Sequence, residues 1–183
     1  ESVSELEMIN AVAQAKGKTA TVALRFNPDV DAKTHPYIST GLKKNKFGLN
    51  RKEILEIAKA LRDEPSEYRG IAFKGLSIHI GSQLLSLSPL NDSFRKLREL
   101  CDEIEDILPE PLSFLDVGGG VGITYRSEKS PSLDKYCQLI QKYFGPKAKL
   151  QYPKKILLEP GRVLSGNSGV LLTEVLQDRK SVV

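Results

Sequence analysis

The chain has 183 residues, of which 40% are hydrophobic and 27% charged, a composition typical of one folded globular domain. The formal net charge is +4, and the scattered Lys and Arg residues argue against a nucleic-acid-binding protein. No apolar run approaches the roughly 18 residues of a membrane span and no signal peptide opens the sequence, so we expect a cytoplasmic protein with no membrane partner.

The first half of the sequence predicts two helices, each followed by a strand. Ser4 and Glu7 have the spacing of a capping box, and Gly17 is a typical helix stop. The apolar run in TATVALRFNP predicts a strand buried on both faces. After a long polar loop over residues 28–49, Asn50 caps a second helix in NRKEILEIAKALRDEP, with Glu53 closing a capping box, and IAFKGLSIHIGSQ predicts a second strand.

The second half continues this alternation. SPLNDSFRKLRELCDEIEDILP and SLDKYCQLIQKYFG predict amphipathic helices, LSFLDV and KKILLEPGR predict the third and fourth strands, and SGVLLTEVLQDRK predicts a final strand. Cys101 and Cys137 fall on the apolar faces of the two helices, so we expect both thiols to be buried. Their spacing indicates neither a disulfide framework nor a metal site, and no metal is expected.

Strands that alternate with helices predict an α/β fold with a parallel sheet. Ligands bind such folds just beyond the carboxyl ends of the strands, and all four strands are followed there by glycines or polar residues. Contributions from four consecutive strands favour a barrel over an open sheet. Because a complete (β/α)8 TIM barrel needs about 200 to 250 residues, we expect part of such a barrel, incomplete at both ends.

The stretch FLDVGGGVGI follows the third strand directly and permits two ligand-binding interpretations. Glycine backbone N–H groups can form a nest for a phosphate. The same residues spell the D-x-G-x-G-x-G loop of nucleotide-type methyltransferases, but that loop would follow the first strand, whereas two strand–helix units precede it here. A Rossmann loop does not fit because Ile123 replaces its last glycine. A purely structural tight turn is the third interpretation.

Three further stretches supply charged or aromatic groups. In EPGR, Arg162 is suited to bind an anion, and Glu159 either pairs with that arginine or holds a protonated pyridine-type nitrogen. His79 in HIGSQ is either structural or stacks on an aromatic cofactor. Arg25 lies within the first strand, where a buried arginine needs a partner and could orient a group of the site.

The stretches RFNPDVDAKTHPYISTGLKKNKFGL, HIGSQ, DVGGGVGI and EPGR resemble the diaminopimelate decarboxylase family in order and spacing, over essentially the whole chain. The resemblance implies a fold-type III enzyme, with an alanine racemase-like barrel over residues 1–168 and the start of a C-terminal β-domain at 169–183. It implies decarboxylation of meso-2,6-diaminopimelate to L-lysine with pyridoxal 5′-phosphate as cofactor. It further implies a homodimeric parent enzyme, located in the cytoplasm or in the plastid of a plant.

The resemblance also assigns roles to residues at the four strand ends. His79 and Glu159 are the expected catalytic residues, with His79 stacked on the pyridine ring and Glu159 keeping its nitrogen protonated. Arg25 belongs to a hydrogen-bond network beneath the cofactor, and Arg162 is also the expected ligand of a substrate carboxylate. The residues expected around the cofactor phosphate are Ser82, Gly119, Gly120, Gly161 and Arg162.

This sequence departs from the family pattern in two places. In the family, the lysine that holds the cofactor covalently belongs to a first barrel strand that is absent here. We do not expect Lys74 to replace it, because Lys74 lies near the start of a predicted strand. Neither Cys101 nor Cys137 matches the cysteine of the family's β-domain. We therefore expect the chain alone to be inactive. The alternatives are a decarboxylase of another basic amino acid of the ornithine or arginine type, a non-catalytic cofactor- or phosphate-binding module, and an adenosylmethionine-dependent methyltransferase.

Overall fold

The computed structural model describes residues 1–31, 47–150 and 154–177. Of the predicted polar loop, residues 32–46 lie outside the described part. The helices and strands follow in the order α1 (Val3–Ala15), β1 (Ala20–Arg25), α2 (Arg51–Asp63), β2 (Ile71–Ser77), α3 (Ser88–Ile107), β3 (Phe114–Gly119), α4 (Leu133–Phe144), a 3-10 helix (Pro146–Ala148), β4 (Lys155–Glu159) and α5 (Gly161–Ser165).

The four strands form one parallel sheet in the order β1-β2-β3-β4. Each crossover therefore moves one position in the same direction, and right-handed crossovers place the connecting helices on the same face. An open doubly wound sheet instead reverses direction at a switch point. The sequential order confirms the predicted α/β fold and is that of an arc of a barrel.

The two faces of the sheet differ in burial. Leu76, Leu115 and Val117 are at most 1% exposed and belong to the core that the helices cover. Asp116 alternates with Leu115 and Val117 along β3, and His79 lies just beyond β2. Both of these polar side chains are only half-buried. The face opposite the helices therefore carries the polar side chains.

The caps of the first two helices test the predicted helix starts. Asn50 and Glu53 form the predicted capping box, with hydrogen bonds of 3.1 and 2.8 Å. Helix α1, however, is capped by Ser2, whose hydroxyl accepts from the Glu5 N–H, so the predicted cap at Ser4 is wrong. Ser2 and Ser4 both precede a glutamate by three residues, and the spacing alone does not choose between them.

The two cysteines have different environments. Cys101 is fully buried in α3, as predicted, and burial raises the pKa of its thiol to about 12. Cys137 is exposed, so the prediction of a second buried thiol is wrong. Helix α4 turns Tyr136 towards the core, and the next residue along a helix points about 100° away from it.

The predicted final strand does not form among the described residues. Residues 169–177 belong to no helix or strand, and Val170, Leu171 and Leu172 are 97%, 91% and 95% exposed. A strand needs a partner for its backbone N–H and C=O groups, and none of the four described strands pairs with this segment. The domain boundary at residue 168 stays a prediction.

Among the described residues, no helix is long and apolar enough to cross a membrane.

Candidate active site

The site is centred on two side chains at the ends of β2 and β4, which flank β3 in the sheet. His79 lies just beyond β2, and Glu159 is the last residue of β4. The His79 Nδ1 atom lies 2.7 Å from the Glu159 Oε2 atom, and the two side chains are 30% and 50% exposed. Glu159 thus pairs with the histidine, and half of its side chain still faces solvent, where a ligand can reach the carboxylate.

The glycine loop lies between these two strand ends, packed against their backbones. The β3–β4 register shifts between Asp116 and Gly119, and a Cβ atom on Gly119 would lie 1.9 Å from the Glu159 carbonyl oxygen. Gly120 has a φ of 91°, and its Cβ atom would lie 2.1 Å from the Gly81 carbonyl oxygen. The fold itself requires these two glycines, and their close packing brings the loop to both strand ends.

Gly161 has a different setting. A Cβ atom on this residue would meet no atom of the described residues within 4 Å, and the residue is not in the left-handed region. Neither packing within the described part of the chain nor backbone conformation therefore explains the glycine. A ligand that closely approaches the backbone beside Glu159 would explain it.

Arg162 follows directly and is half-buried. Its guanidinium carbon lies 5.8 Å from the centroid of the Tyr125 ring, and its Nη1 atom lies 3.5 Å from Gln83 Oε1. No ion pair joins Arg162 to Glu159 in the described part of the chain, contrary to one of the two sequence interpretations. The guanidinium instead lies between the ends of β2 and β3.

Arg25 has the partners that a mostly buried arginine requires. Its side chain is 21% exposed and pairs with the Glu1 carboxylate at 2.5 Å. The Nη2 atom donates to the His79 carbonyl oxygen at 3.2 Å, and the guanidinium lies 5.3 Å from the Phe47 ring centroid. Arg25 therefore supports the backbone that carries His79. Ser82 is half-buried in the turn that follows His79.

Asp116 belongs to the site although the sequence interpretation treated it only as part of the glycine motif. Its Oδ1 atom accepts from the Gly118 N–H at 2.9 Å. Burial raises the pKa of this carboxyl; the Gly118 hydrogen bond opposes the shift, the Glu159 charge adds to it and His79 opposes it. An aspartate at the end of a strand, just before glycines, was the signal available in the sequence.

The donor and acceptor set fits pyridoxal phosphate. A carboxylate can hold a proton on a pyridine nitrogen, and an imidazole offers a flat surface to an aromatic ring. A phosphate needs donors, and a guanidinium such as that of Arg162 and the backbone N–H groups of a glycine loop are groups of that kind. Each of these groups lies at a strand end, where parallel α/β folds bind ligands.

A family model described as "Pyridoxal-dependent decarboxylase, pyridoxal binding domain" matches residues 1–166. The chain belongs to this family. This membership confirms the predicted barrel class and the pyridoxal phosphate cofactor, and it excludes the methyltransferase interpretation of the glycine loop.

The relatives extend this result. The diaminopimelate decarboxylases of Neisseria meningitidis serogroup A and of Haemophilus influenzae are 48% and 45% identical over 177 and 178 residues. Each alignment covers 96% of this chain, and 41% and 40% of the respective relative. The crystal structure of diaminopimelate decarboxylase from Helicobacter pylori complexed with L-lysine matches with a TM-score of 0.77 and 39% identity, covering 88% of this chain and 39% of that one. The chain spans about two fifths of the length of the curated relatives it matches.

Proposed function

We propose that this chain supplies the cofactor site of a pyridoxal phosphate-dependent decarboxylase that converts meso-2,6-diaminopimelate to L-lysine and carbon dioxide. The observation that carries the proposal is the 2.7 Å contact between His79 and Glu159 at the end of the sheet that also holds the glycine loop. The names of the relatives at 48% and 45% identity support this substrate.

The bound cofactor would supply an aldehyde that reacts with amino groups and a ring that accepts electrons. Glu159 would hold a proton on the ring nitrogen, because a neighbouring carboxylate favours the charged form of a base. His79 would face the ring, held by Glu159 and, through its backbone, by Arg25. Gly161 and Arg162 would bind the phosphate, together with Ser82, Gly119 and Gly120.

The covalent attachment of the cofactor needs a lysine that the resemblance places outside this sequence. Lys74 does not take that role, because it lies in the middle of β2, away from the strand end, and its ammonium contacts the Glu110 carboxylate. We propose that a further segment of the full-length protein supplies the lysine. We also propose that the full-length enzyme is a cytoplasmic homodimer and that Arg162 binds the substrate carboxylate.

The test is an assay of carbon dioxide release by the full-length protein. With pyridoxal phosphate added, we expect release from meso-2,6-diaminopimelate and not from L-ornithine or L-arginine. Preferential release from either of these would favour the alternative decarboxylase, and cofactor binding without release from any substrate would favour a non-catalytic module.

Glu159→Gln tests the proposed proton-holding role in the same assay. An amide cannot hold the ring proton as a carboxylate does, so kcat should fall by about a hundredfold or more while the cofactor still binds. Glu56→Gln, at an exposed position of α2, is the matched control and should leave kcat unchanged. An unchanged kcat in Glu159→Gln would remove the carboxylate from the mechanism.

A further inference from the structure

Gln83, in the turn after β2, has a backbone conformation that its side chain disfavours. Its φ is 59°, in the left-handed region that glycine adopts most readily. Glycine would adopt this conformation without strain, so the presence of glutamine calls for a reason. Contacts that only a long side chain can make would provide it.

The Gln83 amide makes two hydrogen bonds to the backbone of one residue in the glycine loop. Its Nε2 atom donates to the Ile123 carbonyl oxygen at 2.6 Å, and its Oε1 atom accepts from the Ile123 N–H at 3.1 Å. The amide thus continues the pairing in which Leu84 bonds Gly120 and Gly122 at 2.8 and 3.0 Å. The Gln83 side chain therefore holds Ile123, at the end of the glycine loop, against the turn that follows β2.

The same amide reaches the arginine after β4. The Gln83 Oε1 atom lies 3.5 Å from Arg162 Nη1, so one oxygen faces both the Ile123 N–H and the guanidinium. A single side chain therefore links the ends of β2, β3 and β4. Of the two residues that the amide contacts, Arg162 is a proposed ligand of the phosphate, and Ile123 directly follows the glycine loop that supplies two more.

We propose that Gln83 is a positioning residue that holds the glycine loop and Arg162 in the arrangement that binds the cofactor phosphate. This inference rests on the proposed function of the site. Gln83 acts through Ile123 and Arg162 and needs no contact with the phosphate itself. Both halves of its amide are required, because the oxygen accepts from Ile123 and Arg162 while the nitrogen donates to the Ile123 carbonyl.

The test compares pyridoxal phosphate with pyridoxal, which lacks the phosphate, in absorbance titrations of the full-length protein. Gln83→Gly removes the amide but adopts the same φ without strain, so the relieved strain offsets part of the stability lost with the Ile123 hydrogen bonds and the variant should remain folded. We expect the affinity for pyridoxal phosphate to fall about tenfold, the scale of one lost hydrogen bond to a charged group, with pyridoxal affinity unchanged. Gln177→Gly, at an exposed position outside helices and strands, is the matched control.

Gln83→Asn provides a second variant that retains an amide and a side chain compatible with the left-handed region. Its amide is one methylene short of Ile123, so it should lose phosphate affinity as the glycine variant does. The inference would be overturned if the ratio of pyridoxal phosphate affinity to pyridoxal affinity were the same in wild type and both variants. This includes the case in which a variant loses affinity for both ligands equally. A wild type that binds both ligands equally would refute the proposed phosphate site itself, and the inference with it.

Discussion

Asp116 is a residue of the site whose carboxyl pKa is raised by burial. It is half-buried on the polar face of the sheet, with the Glu159 carboxylate close enough to add to the rise in its pKa. A raised pKa means that the folded protein binds this proton more tightly than the unfolded chain does. The stabilising contribution is therefore complete below the unfolded pKa and is lost as the pH rises through the folded pKa.

Asp116→Asn tests this pH dependence. The amide oxygen can still accept from the Gly118 N–H, and no charge has to be buried. The stability of the variant relative to wild type should therefore increase as the pH rises above about 4, the ordinary pKa of an aspartate, which urea unfolding at each pH measures. Asp106→Asn, on the exposed surface of α3, is the matched control. A stability difference that does not vary with pH would contradict the assigned environment of Asp116.

Single residues at the site differed in how far the sequence revealed them. His79 and Glu159 were predictable because each directly follows or ends an apolar run, and parallel strands bring such positions to one edge. Gln83 was not, because its role depends on Ile123, which is forty residues away in sequence. Local spacing carries no signal for a side chain that bonds a distant backbone.

At the scale of elements, the glycine loop couples β3 to both neighbouring strands. Gly119 abuts the backbone of Glu159 on one side, and Gly120 abuts the backbone of Gly81 on the other. The sequence favoured a loop that binds a ligand and left a structural tight turn as an alternative, but it did not show that these glycines pack against both neighbouring strands. The start of α2 was predicted correctly because only Asn50 has a glutamate three residues later at that point. The start of α1 was not, because Ser2 and Ser4 both have this spacing.

Gly119→Ala should destabilise the fold. Its Cβ atom would lie 1.9 Å from the Glu159 carbonyl oxygen, so the ends of β3 and β4 must separate. We expect a loss of about 1 to 3 kcal/mol in the free energy of unfolding, the usual cost of overpacking, measured by urea denaturation. Gly169→Ala, where a Cβ atom meets no described residue within 4 Å, should change stability little. Equal stability of the two variants would show that the loop does not pack against β4 in this way.

At the scale of the whole molecule, a buried ion pair joins the helical layer to the last strand. The ammonium of Lys154, just before β4, contacts the Glu105 carboxylate of α3, and both side chains are fully buried. Glu105 Oε1 also accepts from the Leu112 N–H at 3.0 Å, ahead of β3. The sequential α/β alternation predicted the sheet, but a charged pair between two amphipathic surfaces has no periodic signature in the sequence.

Lys154→Met would leave the Glu105 carboxylate buried without its countercharge, so the free energy of unfolding should fall by about 3 to 5 kcal/mol. Glu105→Gln in the same chain removes that charge and keeps an acceptor for the Leu112 N–H. The double variant should therefore recover much of the loss, and a double-mutant cycle by urea unfolding measures the coupling. Additive losses from the two single variants would mean that the charges do not interact. A recovery would show that the pair affects stability mainly through the penalty for leaving one of the two charges buried alone.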